Sequence, residues 1–246
     1  MNRGKSLPNS LLTTSPKIMH SASVNGKPFS ILVAGRKHYV FSNLADFTTI
    51  YKTRAFDIRN FIKMLQANLF GMTEKDADRV LEIKPVVHEF HTKYLLTSKY
   101  NAVEAARYFV DLDAVFNALD KDVKASKTKS FTKDGFVFVA DTQGNATVAS
   151  YLGQSLLDLY PDLLTDFTAF VKEGFWPLLG GAPNFLFPRP VTLRERGVQA
   201  TKEWIRLVRK DESLTSPFMA ARLKMLKEQG FGEDATAREI YGVIFG

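Results

Sequence analysis

Residues 101–122 read NAVEAARYFVDLDAVFNALDKD, and this stretch decides the fold class. Its apolar side chains recur at steps of three and four residues, which is the spacing of one face of an α-helix. The pattern predicts a long amphipathic helix that packs its apolar face against a core. The predicted core face consists of Val103, Ala106, Phe109, Val110, Val115, Phe116 and Leu119.

Helical spacing extends over most of the chain on both sides of this segment. Asn43 is a candidate N-cap for a helix over 44–53, and residues 73–76 (TEKD) resemble a capping box that opens a short helix. Pro85 is predicted near the start of a further helix. The remaining predicted helices cover 56–70, 142–159, 161–174, 191–210, 215–229 and 233–246, with a loop over 177–190.

Two short β elements interrupt the helical pattern. Phe29–Val33 and His38–Phe41 predict a hairpin, and Gly35 lies in its turn, where a positive φ angle costs little. Phe136–Ala140 predicts one isolated strand. Together with the helices, these elements predict a mainly α fold with a small N-terminal β-hairpin.

The composition bounds the functional classes. The 246 residues include no cysteine, which excludes a disulfide framework, cysteine-ligated zinc or iron–sulfur sites, a cysteine nucleophile and thiolate ligation of a haem iron within this chain. The formal net charge of +7 suits an acidic partner or an anionic membrane surface, although such an excess is most often a solvated surface. No stretch approaches the roughly 20 apolar residues of a membrane span.

The first residues differ in composition from the rest of the chain. Residues 1–28 are rich in serine and proline, show no apolar period, and precede the first acidic residue, Asp46. This composition predicts a disordered N-terminal tail, with a transit peptide as the alternative. The predicted organisation is a tail over 1–28 and one helical region over 29–246.

No catalytic constellation is visible in the sequence. His88 and His91 share a helix face, but a metal site needs three or four ligands and only His20 and His38 remain, so no metal site is predicted. The chain has no glycine-rich phosphate loop, HExxH or GxSxG motif. The basic residues over 191–210 are interpreted as a solvated helix face, so no nucleic-acid partner is expected.

Several segments follow the order of elements of one known superfamily. Residues 28–53 (PFSILVAGRKHYVFSNLADFTTIYKT) form a hairpin and a helix, 56–72 (FDIRNFIKMLQANLFGM) a variable region, and 85–100 (PVVHEFHTKYLLTSKY) a further helix. Residues 147–209 and 216–246 continue with helices. In this order the segments resemble the N-terminal half of a cytochrome P450, most closely of the fungal type. The resemblance implies a partial cytochrome P450 fold from the B helix to the start of the I helix.

The resemblance also implies a cofactor and site residues. Members of that superfamily bind haem b, and their C helix carries an arginine that meets a haem propionate. Alignment on Leu95-Leu96 gives Lys93 the arginine position, and His91 is a second candidate for the propionate. The residues implied to face an apolar substrate lie within 56–72 and 180–190. They are Phe61, Leu65, Leu69, Phe70, Phe185 and Phe187.

The chain also departs from the family. The ExxR helix, the cysteine of the haem-binding loop and the acid–Thr pair of the I helix have no counterpart here, so no catalytic residue is assigned. We expect a truncated P450-like protein without monooxygenase activity of its own. It is related to enzymes that oxidise a sterol, a lipid or a fungal secondary metabolite.

If a C-terminal half completed the chain, its partners would be an apolar small molecule and P450 reductase, with membrane surface contact. The family is usually found at the endoplasmic reticulum membrane, although no transmembrane anchor is predicted in this sequence. The main alternative is a non-catalytic all-α module that binds a protein partner through exposed apolar helices. A free-standing helical enzyme is a third hypothesis.

Overall fold

The computed structural model describes residues 28–33, 36–41, 43–53 and 57–244. The chain divides into two compact units, and the division follows Ile58. The predicted N-terminal tail lies outside the described residues, apart from Pro28. Among the described residues, no helix combines the length and the apolar character that a membrane span requires.

The described residues of the first unit form an antiparallel hairpin and one helix. β1 (Phe29–Val33) pairs with β2 (Arg36–Val40), and the register runs from Phe29 opposite Val40 to Val33 opposite Arg36. The predicted hairpin is confirmed, although its second strand begins at Arg36 rather than at His38. Gly35, the predicted turn residue, lies outside the described residues.

The helix of this unit, α1 (Leu44–Lys52), begins at the predicted cap. The side-chain oxygen of Asn43 accepts a hydrogen bond from the backbone N–H of Ala45 at 2.9 Å. This bond satisfies one of the donors that the first helical turn leaves unpaired. The sequence signal for this cap is therefore confirmed.

The second unit is helical throughout its described elements. Its α-helices are α2 (Arg59–Met64), α3 (Glu74–Glu82), α4 (Lys84–His91), α5 (Ser98–Ala125), α6 (Gly135–Thr147), α7 (Gln154–Leu159), α8 (Leu163–Leu179), α9 (Pro188–Val208), α10 (Pro217–Glu228) and α11 (Glu233–Val243). Three of them continue into a π-helical turn: α2 into Leu65–Leu69, α4 into Thr92–Leu96 and α6 into Val148–Leu152. The predicted fold class, mainly α with a small N-terminal hairpin, is confirmed.

The centre of the second unit lies where α9 meets α8 and α11. Trp204 of α9 is fully buried, and its Nε1 donates a hydrogen bond to Ser155 Oγ at 3.2 Å. Tyr241 of α11 packs against the backbone of α9 at Gly197, where a Cβ atom would lie 2.4 Å from Tyr241 Cε2. The two helices therefore approach so closely that position 197 requires glycine.

The isolated strand predicted over Phe136–Ala140 is wrong. These residues lie in α6, and the side chain of Asp134 caps that helix by accepting from Val137 N–H at 3.1 Å. A short apolar run cannot by itself distinguish a strand from a buried helix segment. Here the cap next to the run decides the outcome.

The face predicted for residues 101–122 is also wrong in part. Val103, Phe109, Val110 and Phe116 are exposed in α5, whereas the acidic side chain of Glu104 is buried. Apolar residues occur on more than one side of this helix, so periodicity alone did not define the buried side. The choice depends on the neighbouring helices.

Two boundaries in the middle of the chain differ from the prediction. The helix predicted over 142–159 is divided at Gly153, whose φ angle is +103°. A Cβ atom there would lie 1.9 Å from the backbone oxygen of Leu214. The loop is shorter than the predicted range 177–190, because α8 continues through Pro177 to Leu179 and α9 begins at Pro188.

Candidate functional site

An aromatic cluster holds α4 against the N-terminal end of α10. The ring of Phe218 lies 5.3 Å from the ring of Phe90 and 6.0 Å from the imidazole of His91, measured between centroids. Phe90 in turn stacks on Tyr94 at 4.6 Å. Ring pairs at these distances stabilise the packing beyond the area that they bury. One face of α4 is therefore fixed, and His91 lies on that face.

His91 contacts a buried ion pair. Arg222 of α10 pairs with Glu239 of α11, and their side chains are only 6% and 7% exposed. The Nη1 of Arg222 also lies 2.6 Å from Nε2 of His91. Because an arginine has donors and no acceptor, this contact requires an unprotonated Nε2. Burial, and then the charge of Arg222, lower the pKa of His91, which favours the same neutral form.

Lys93 is exposed on the π-helical turn that follows α4. Its Nζ lies 5.2 Å from the ring centroid of Tyr94, and no carboxylate among the described residues pairs with it. An ammonium group placed in this way fits a propionate, as a point charge rather than as a bidentate fork. The imidazole of His91 fits one less well, because its Nε2 already accepts from Arg222.

A second buried carboxyl group joins α5 to α10. Glu104 is 3% exposed, and its Oε1 accepts a hydrogen bond from the backbone N–H of Phe218 at 3.1 Å. Burial raises the pKa of Glu104, and the bond to Phe218 opposes this shift. The carboxyl group of Glu104 thus caps the N-terminal end of α10, where Phe218 forms part of the aromatic cluster.

The residues implied to face substrate occupy different environments. Leu69 and Phe70 are fully buried in the core, and Phe187 is half-buried against it. Leu65 is also half-buried, whereas Phe61 and Phe185 are exposed. Their assignment to a substrate pocket stays a prediction.

A groove of about 870 Å³ lies between α5 and the 153–158 segment. Its lining includes the small side chains of Ala102 and Ala106, the exposed Val110, and Leu214 from a neighbouring turn. None of the six residues implied to face substrate lines it. The groove is therefore separate from the predicted substrate side.

Sequence reasoning missed the polar groups that organise this region. Arg222 and Glu239 come from different helices, and nothing in the sequence near either residue indicates the pairing. The periodicity of residues 101–122 assigns only apolar side chains to the buried face of the helix, so Glu104 is predicted to face solvent. A buried charge could have been suspected only from the three-dimensional neighbours that satisfy it.

Comparison with known proteins gives one informative similarity. No protein-family model matches the chain. The chain is 32% identical over 228 residues to the cytochrome P450 monooxygenase poxD of Penicillium oxalicum. The match covers 92% of this chain and 46% of that protein, so the chain spans less than half the length of this curated relative. With the helical fold and the N-terminal hairpin, the match is consistent with a partial cytochrome P450 fold and supports a relation of this chain to the cytochrome P450 monooxygenases.

Proposed function

We propose that the chain provides the substrate-side helices of a cytochrome P450 monooxygenase fold and does not activate oxygen by itself. The observation that carries this proposal is the 32% identity to a fungal monooxygenase over 92% of the chain. A haem iron with a cysteine thiolate ligand supplies the oxygen chemistry of such enzymes. The 246 residues contain no cysteine, so the chain on its own does not form that centre.

Within this proposal, Lys93 is the residue that contacts a haem propionate. Its exposure and its lack of a carboxylate partner among the described residues leave the ammonium group available. The buried pair of Arg222 and Glu239, with His91, keeps α4 in place, and Lys93 follows directly after that helix. His91 therefore acts through helix position rather than by touching the cofactor.

The substrate class proposed is an apolar molecule such as a sterol, a lipid or a fungal secondary metabolite. Apolar side chains of 56–72 and 180–190 would face it, with Phe61 and Phe185 exposed already. The electron donor proposed for the completed enzyme is P450 reductase. Membrane surface contact at the endoplasmic reticulum is part of the same proposal.

A chimera tests the proposal. The matched part of the Penicillium oxalicum monooxygenase is replaced by this chain, and both the chimera and the chain alone are reconstituted with hemin, reduced and exposed to CO. We expect a thiolate-type Soret band from the chimera and none from the chain alone. A thiolate-type band from the chain alone would contradict the proposal, as would a folded chimera that takes up no haem.

The chain offers a matched control for the propionate contact. Lys99 is also exposed, and its Nζ lies 5.5 Å from the ring centroid of the neighbouring Tyr100, much as Lys93 lies over Tyr94. In the chimera, Lys93→Ala should weaken hemin binding by up to about fivefold, because one exposed charge contact contributes at most about 1 kcal/mol. Lys99→Ala should leave it unchanged. Equal effects from the two variants would reject the assignment of Lys93.

The second candidate function is a helical module that binds a protein partner. The observation that favours it is the exposed apolar surface of α5, which includes Phe109 and Val110 at 65% and 69% exposure. An exposed apolar patch of this kind often marks an interaction site. If this function is correct, the chimera fails to bind haem, while Phe109→Ser and Val110→Ser reduce association of the isolated chain in sedimentation.

A further inference from the structure

The π-helical turn after α2 ends with carbonyl groups that need partners from elsewhere. The backbone oxygens of Leu65 and Gln66 accept from the N–H groups of Phe70 and Met72, at 3.2 Å and 3.0 Å. The chain then turns away, so no further helical turn follows to bond the carbonyls of residues 68–70. Because these residues are largely buried, a carbonyl without a donor would be costly there.

Two arginines from other helices provide those donors. The Nη1 of Arg194 in α9 donates to the backbone oxygens of Asn68 and Leu69, at 3.4 Å and 3.3 Å. The Nη1 of Arg238 in α11 donates to the backbone oxygen of Phe70 at 2.9 Å. The side chains of Arg194 and Arg238 are only 3% and 12% exposed. Hydrogen bonds from a charged donor in a buried setting are among the stronger ones in proteins.

The backbone turn at Gly71 packs directly against these guanidinium groups. Gly71 has a φ angle of +71°, and a Cβ atom there would lie 2.8 Å from Nη1 of Arg238 and 2.9 Å from Cζ of Arg194. Position 71 therefore requires glycine for two independent reasons: its backbone conformation and the close approach of the arginines.

Acidic groups fix the orientation of both arginines. Glu195 Oε1 accepts from Nε of Arg194 at 2.9 Å and from Nη1 of Arg238 at 3.0 Å, and its Oε2 accepts from Nη2 of Arg238 at 2.7 Å. Asp234 accepts from Nε of Arg238 at 2.8 Å. Neither guanidinium can rotate away from the carbonyls without breaking an ion pair.

We propose that Arg194 and Arg238 are positioning residues that anchor the segment 65–71 to α9 and α11. The proposal rests on the proposed function in one respect, because that segment ends the region whose Phe61 and Leu65 are implied to face substrate. The two arginines position this region by bonding its backbone carbonyl groups, independently of how its side chains pack. Substrate fit on this side would thus depend on two residues that do not touch the substrate.

Amide hydrogen exchange of the full chain, resolved by residue, tests the anchor. Arg238→Lys removes the planar fork, and Gly71→Ala pushes on both guanidinium groups without changing charge. In both variants the amides of Phe70 and Met72 should exchange about tenfold faster or more, because the hydrogen bonds that restrain the segment come from charged donors and their loss makes local opening easier. Arg206→Lys, which alters an exposed α9 pair with Glu233, should leave these amides unchanged.

The amides of Ile205 and Val208 in the core of α9 distinguish positioning from general stabilisation. They should keep their wild-type exchange in all three variants. Unchanged exchange at Phe70 and Met72 would overturn the proposal, and so would equal acceleration at all four amides in both Arg238→Lys and Gly71→Ala. The measurement needs no haem or substrate, so a chimera that fails to bind haem rejects the proposed function and leaves this result standing.

Discussion

Replacing Glu239 by glutamine should destabilise the second unit strongly. The change keeps the shape of the side chain but removes the negative charge that faces the buried guanidinium of Arg222. Removing one partner of a buried ion pair costs about 3–5 kcal/mol, out of a total stability of about 5–15 kcal/mol. For a domain of this size that loss corresponds to a fall in Tm of roughly 6–20 °C.

Urea unfolding followed by circular dichroism measures this loss. The matched control is Glu233→Gln on the same helix, because Glu233 pairs with Arg206 at the surface and loss of its charge should leave the free energy of unfolding nearly unchanged. The double variant Arg222→Met, Glu239→Leu removes both charges and should regain most of the stability. The reasoning is refuted if Glu239→Gln changes the free energy of unfolding by less than about 0.5 kcal/mol, or if the double variant is as unstable as the single one.

Two further outcomes follow from the structure. Gly153→Ala should lower the urea midpoint markedly, because the added Cβ meets the backbone of Leu214. Gly135→Ala should be neutral or slightly stabilising, because its added Cβ meets nothing within 4 Å. Similar urea midpoints for the two variants would contradict this prediction. The pKa of His91 is lowered in the folded chain, so its contribution to stability is complete above its unfolded pKa of about 6.5 and is lost as the pH falls below that value. The urea midpoint should therefore drop between pH 7.5 and pH 5.5, and it should drop by less in His91→Gln than in the wild type. Equal drops in the two proteins would refute the assignment.

Local signals in this sequence predicted local structure well. The caps at Asn43 and Thr73 are confirmed: Thr73 accepts from Asp76 N–H at 3.1 Å and opens α3. Each depends on a side chain that bonds its own neighbours, so the sequence contains the whole interaction. The strand predicted over Phe136–Ala140 is wrong because the apolar run fits a strand or a helix equally well, and the cap at Asp134 makes it the first turns of a helix.

The polar interior was not predictable in the same way. The contact between His91 and Arg222 joins residues far apart in the sequence, and neither residue type indicates burial. The same holds for Arg194, which reads as part of a solvated basic face and is 3% exposed. Such groups are buried only because the fold supplies a partner, and the partner is specified by tertiary packing rather than by a local pattern.

Adjacent residues of α11 connect this helix to two different parts of the molecule. Arg238 bonds the carbonyl of Phe70 and so holds the segment implied to face substrate, whereas Glu239 pairs with Arg222 and so holds α4, after which Lys93 is exposed. Successive residues of a helix lie about 100° apart around its axis, so one turn of α11 can anchor both regions without the two anchors sharing a partner. Perturbation of Arg238 should therefore loosen the amides near residue 70, and perturbation of Glu239 should loosen α4, because effects at independent contacts add rather than couple. In the proposed enzyme, the substrate side and the haem side would thus be positioned by one helix through separate polar contacts.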